Sequence, residues 1–188
     1  MNGWIIAAVL AAVALYVIFV FNRLIRLRNL AREGWSGIDV QLKRRSDLVP
    51  NLVATVQAYA AHERAVLEEV TKSRQSSIAV DDVAGRASAE SALQGALGRL
   101  FAVAEAYPEL KADKNFLALQ QQLAEIEDQL QMARRYYNGT VRNLNISIQS
   151  FPDNLVAGVL GFRALPFFEL EDRAQAATPT VAFQAPQP

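Results

Sequence analysis

Residues 34–70 read GWSGIDVQLKRRSDLVPNLVATVQAYAAHERAVLEEV. Stepping through them by alternating threes and fours strings Trp35, Ile38, Leu42, Arg45, Val49, Leu52, Val56, Tyr59, Glu63, Val66 and Val70 on one line, and all but Arg45 and Glu63 are apolar. A stripe of that spacing lies along one side of a helix, and one this long packs lengthwise against partner helices. The seam therefore predicts one helix from Trp35 to Val70 with a bundle around it. Pro50 lacks a backbone N–H and crowds the preceding turn, which predicts a kink over Ser46–Pro50, with Asp47 and Asn51 beside it to satisfy freed backbone groups. An apolar stripe is a core signal and carries no chemistry.

Upstream, only Gly34 and Gly37 interrupt the approach to residues 4–21, WIIAAVLAAVALYVIFVF, which hold no charge. A helix of that length rises about 27 Å, close to the hydrocarbon thickness of a bilayer. A signal peptide needs a basic start and small residues at its cleavage site. Met1-Asn2-Gly3 is not basic and the run ends in Phe19-Val20-Phe21, so a retained transmembrane helix is the preferred reading. Trp4, Tyr16 and Phe21 suit interfacial anchors. Residues 22–34 form a basic juxtamembrane segment in which Arg23, Arg26, Arg28 and Arg32 are placed to meet anionic lipid headgroups, or simply to solvate the helix. Flanking basic residues stay on the cytoplasmic side, so residues 1–3 are expected outside and the rest of the chain in the cytoplasm. The first helix, taken from Trp4 to about Ser73, would reach on the order of 100 Å.

Downstream, Asp81-Asp82 reads as a cap for a second helix over about Val83–Tyr107, which Pro108 is expected to end. A third helix begins near Asp113 or Asn115. It carries a second seam through Phe116, Leu119, Leu123, Ile126, Leu130, Ala133, Tyr137, Val141, Leu144 and Ile148, up to Phe151-Pro152. Pro152 is expected at the first position of a short fourth helix, Asp153–Leu160, closed by Gly161. Residues 171–188, rich in Ala, Thr, Pro and Gln, are expected to be a disordered tail. The fold expectation is all-α: a transmembrane helix continuing into a long kinked helix, and an antiparallel bundle over residues 35–170.

Composition narrows the chemistry. The 188 residues carry 19 basic and 19 acidic side chains, so net charge gives no pull towards nucleic acid. There is no cysteine and one histidine, His62, which excludes disulfides, thiolate sites and zinc motifs that need two imidazoles. No glycine loop of a nucleotide site is present. Arg45, Glu63, Asn138 and Asn145 interrupt or flank the seams. Two readings stand: they fix helix register, or Glu63 and His62 with a partner such as Asn138 form a buried ligand or metal site. Phe162, Phe167 and Phe168 either pack under the bundle or form an exposed patch for a partner. No catalytic residue and no cofactor are assigned.

The blocks MNGWII, DVQLKRRSDLVPNLVATVQAYAAHE, NFLALQQQL and YYNGTVRNLNISIQSFPDNLVAGVLGF followed by FFE resemble the LemA family of small bacterial membrane proteins, in the family's order and over roughly residues 1 to 170. The resemblance implies an N-terminal membrane helix in the bacterial plasma membrane and long antiparallel helices. It implies no settled activity. A sensor histidine kinase shares the family's name, but the kinase glycine loop and companion domain are missing here. The expectation is a non-enzymatic, membrane-anchored scaffold that forms a homo-oligomer in the lipid bilayer, with no nucleic-acid partner. The alternatives are an adaptor for a membrane protein, such as a quality-control protease, and a metal-dependent enzyme using His62 and Glu63.

Overall fold

A computed structural model describes residues 2–169, and the tail expectation for residues 171–188 lies outside them. The described residues form six helices and no strand: α1 (Asn2–Tyr59), α2 (Arg64–Ile78), α3 (Val83–Ala104), α4 (Pro108–Lys111), α5 (Lys114–Gln149) and α6 (Asp153–Val159). The fold is all-α. At 58 residues α1 is about 87 Å long. It lies antiparallel to α5 over most of the length of α5, while α2 and α3 form a shorter hairpin against its C-terminal part.

Both seams are interior. Ile38, Leu42, Val49, Leu52 and Val56 face Phe116, Leu123, Leu130, Tyr137 and Val141 in continuous buried clusters. At Gly34 the two helices approach closely, since a Cβ there would lie 3.0 Å from the Cα of Tyr137. Asp82 caps α3 by accepting from the Gly85 N–H, and Asp113 caps α5 by accepting from the Phe116 N–H. That second bond holds the Asp113 carboxyl below its ordinary pKa.

Two sequence expectations need correction. The first helix ends at Tyr59 rather than Val70: Ala60–Glu63 turn the chain, and α2 packs back so that Val66 and Val70 rejoin the core from the opposite direction. Pro108 opens α4 instead of closing α3, which already ends at Ala104. Pro50 lies inside α1, and the helix runs through it. The Ser46 carbonyl, deprived of the N–H that residue 50 would ordinarily supply, accepts instead from Arg74 Nε of α2 at 2.7 Å. Asp47 pairs with Lys43 and leaves that carbonyl alone.

The Ser46–Arg74 contact yields a coupled prediction. Arg74→Ala should cost about 1–3 kcal/mol, because it removes the side-chain donor to a carbonyl that Pro50 cannot serve. In a Pro50→Ala background the restored N–H can serve Ser46, so the same substitution should cost much less. Thermal unfolding of the four-member cycle reads the difference directly.

The hairpin of α2 and α3 covers only the end of the α1–α5 pair farther from the N-terminus. Two helices alone cannot enclose a core. Nearer the N-terminus the missing side is filled by α6 and by the extended segment 161–169, whose Phe168 is fully buried.

Candidate functional site

Arg45 sits where the two larger apolar clusters meet. Its Nη1 lies 3.4 Å from Glu90 Oε2 of α3, and its Nη2 bonds Glu127 of α5. Ser77 of α2 donates to the second Glu90 oxygen, and Arg86 Nε approaches that oxygen at 3.8 Å. All four long helices therefore contribute to one polar layer. Arg45 is 3% exposed and Glu90 0%. Burial pulls the Arg45 guanidinium below its ordinary pKa, and Glu90 opposes that shift. Beside the layer, a cleft of about 300 Å³ between α3 and α5 opens onto Arg45, Gln94, Gln120 and Glu127.

Glu90 escaped the sequence reading. It belongs to the buried line Glu90, Leu93, Leu97, Leu100, Ala104, so a three-residue step back from Leu93, in place of the four-residue step to Ala89, puts a carboxylate in the core with Arg45. Glu127 of α5 is Arg45's other partner.

Glu63 is not on the seam of one continuous helix. It occupies the turn before α2 and accepts from the Tyr107 hydroxyl at 3.3 Å, with exposed His62 beside it. Asn138 follows Tyr137, which packs on Gly34, so roughly 40 Å of helix separates it from that turn. His62, Glu63 and Asn138 are not brought together. Among the described residues no group of three or more His, Cys, Asp or Glu side chains is placed to hold a metal.

Asn138 and Asn145 act as a pair in a way the sequence did not suggest. The Asn145 amide donates to the Leu165 carbonyl and accepts from the Leu165 N–H, both at 2.9 Å. Two turns earlier on α5, Asn138 does the same for Phe168, at 3.1 and 2.9 Å. Tyr137 donates to the Pro166 carbonyl between them. These side chains replace the strand partner that an extended backbone otherwise needs. The Phe168 ring completes the strap, edge-on to Trp35 at 5.6 Å and beneath the Arg134 guanidinium.

The three phenylalanines therefore do not form one patch. Phe168 is core, and Phe162 packs edge-on to Phe21 with Arg28 over its ring. Phe167 is the most open of the three, at 39% exposure. A partner surface built on Phe167 and Phe168 is overturned by the burial of Phe168.

At the other end, Trp4 and the apolar residues after it have almost no protein neighbours, and this part of α1 is long and apolar enough to cross a membrane. Tyr16 donates to Asp153 at 2.7 Å, and Arg23 pairs with the same carboxylate at 3.0 Å. Arg26 and Arg32 are exposed, whereas Arg28 is half-buried on Phe162.

Residues 34–183 match the profile of the LemA family. The chain belongs to the LemA family. The match starts at Gly34, where α1 and α5 approach closely, and takes in the polar layer, both asparagine clamps and α6. Individual relatives of this LemA-family chain are distant. Magnetosome protein MamQ of Magnetospirillum gryphiswaldense is 24% identical over 79% of the chain and 64% of its own length. Magnetosome protein MamQ 2 of Paramagnetospirillum magneticum shows the same identity and coverage. Protein LemA of Metamycoplasma hominis is 28% identical over 80% of the chain and 69% of its own length. The chain thus spans 64% of the MamQ relatives it matches.

Proposed function

We propose that this LemA-family chain is a non-enzymatic, membrane-anchored helical scaffold that self-associates and organises the bilayer in which it stands. One observation carries the reading: α1 passes from an exposed apolar segment of bilayer length into the core of the bundle as one unbroken helix. A hinge between anchor and domain would leave the domain free to tumble. A continuous helix fixes its height and tilt over the membrane, which suits a spacer or an ordered array better than a tethered enzyme. The arginines that follow the apolar run favour a cytoplasmic bundle and an outside N-terminus. Ala7/Ala11 and Ala8/Ala12 offer small surfaces at four-residue spacing, which lets two anchors approach closely.

The test is mass determination of the full-length protein extracted with its native lipid. Multimers are expected, and Ala7→Ile with Ala11→Ile should shift them towards single copies while leaving helix content unchanged. A monodisperse monomer in mild detergent at high protein concentration would sink the self-association reading.

A further inference from the structure

We propose that α6 is a second lipid-contacting element, a short wedge that dips into the leaflet on the bundle side of the membrane, beside the anchor. The inference rests on the reading of α1 as a membrane anchor, because the position of α6 is fixed relative to that helix. Pro152, Leu155, Val156, Val159 and Leu160 form an apolar groove against Val13, Tyr16 and Val17. Those α1 residues lie roughly 6–12 Å inside the end of the apolar run at Phe21. Interfacial elements sit at a comparable depth of about 5–10 Å. If α1 spans the bilayer, α6 cannot be in bulk water.

Its composition agrees. Phe151 is 81% exposed, Leu155 61% and Val159 88%. So much open apolar surface on a seven-residue helix and its flanking turn is unlike a solvated surface. Asp153 is the only ionisable residue between Ser150 and Phe162, and it is buried. It accepts from Tyr16, Arg23 and Ser147, so no unpaired charge is presented to hydrocarbon. Exposed Arg163 follows the wedge at once and exposed Arg26 lies on α1, which places cations where headgroup phosphates begin. A wedge confined to one leaflet expands that leaflet, giving the scaffold a direct grip on curvature.

The absence of cysteine makes the test clean. Nitroxide labels on Leu155→Cys and Val159→Cys, in full-length protein in phosphatidylethanolamine–phosphatidylglycerol nanodiscs, report relative access to oxygen and to a water-soluble nickel chelate. Leu10→Cys serves as the anchor control and Met132→Cys as the aqueous one. All four side chains are exposed, so labelling should leave the helical circular dichroism unchanged. Positions 155 and 159 are expected to resemble Leu10, with an oxygen-to-nickel access ratio several-fold above that of Met132. If Leu10 is oxygen-rich while 155 and 159 match Met132, the wedge is wrong and the anchor stands. If Leu10 itself matches Met132, the anchor fails and takes the wedge with it. Labels at 155 and 159 shielded from both reagents, with spin–spin broadening between copies, would assign the surface to another protein copy and overturn the lipid contact.

Discussion

Arg45→Ala is expected to lower the stability of the bundle by about 3–5 kcal/mol, the usual cost of removing one member of a buried ion pair. The substitution leaves Glu90 inside the protein with only Ser77 and a distant Arg86 Nε to face it, while Glu127 can turn to solvent. Thermal unfolding in mild detergent, followed at the helical circular-dichroism band, measures the loss. Arg45→Met combined with Glu90→Leu should recover most of it, because apolar groups of similar size are often as stabilising as the pair they replace. The two results together separate stability from specificity. If the double variant is stable but yields a broader range of assembly masses, the polar layer fixes which helix faces which. A double variant as unstable as Arg45→Ala would show that the layer contributes stability through Ser77 and Arg86 as well.

That layer also shows what periodicity can and cannot reveal. Arg45 stood out because an arginine on an apolar line is a visible exception, whereas from Leu93 a four-residue step back reaches apolar Ala89 and only a three-residue step reaches its partner Glu90. The reversal at Ala60–Glu63 was hidden for a related reason. The three-four pattern continues through Glu63, Val66 and Val70, and a helix that folds back on its own core satisfies the pattern as well as one that runs on. No glycine or proline marks the turn; only backbone bonds such as Glu63 N–H to the Ala60 carbonyl close it. The caps were legible because Asp82 and Asp113 act on N–H groups three residues away. Gly161 was legible too, since its positive φ of 71° favours glycine. The strap was not. Its asparagines serve backbone groups 20 and 30 residues away, and a polar line on a helix does not say whether it faces water or another segment.

Phe168→Ala is expected to release the strap rather than unfold the helices. Truncating a fully buried phenylalanine costs about 3–5 kcal/mol. Against that, the five hydrogen bonds of Asn138, Asn145 and Tyr137 contribute about 1 kcal/mol each once exchange with water is counted, less than the about 1–2 kcal/mol per residue that ordering the backbone of segment 161–169 costs. The strap is the last described segment, and α1 and α5 pair through their own buried seams, so its loss is a local opening. Two readouts should move together. Trypsin should gain access after Arg163, and in a Trp4→Phe background the emission of Trp35, no longer packed against the Phe168 ring, should shift to the red. Helix content should stay nearly constant. Phe167→Ala, at a side chain that is partly open, should do neither. If Phe167→Ala instead frees the strap while Phe168→Ala leaves it docked, the asparagine clamps would have to hold the segment without the ring. The side of the α1–α5 pair that α2 and α3 leave open would then need another cover, and the obvious source is a neighbouring copy.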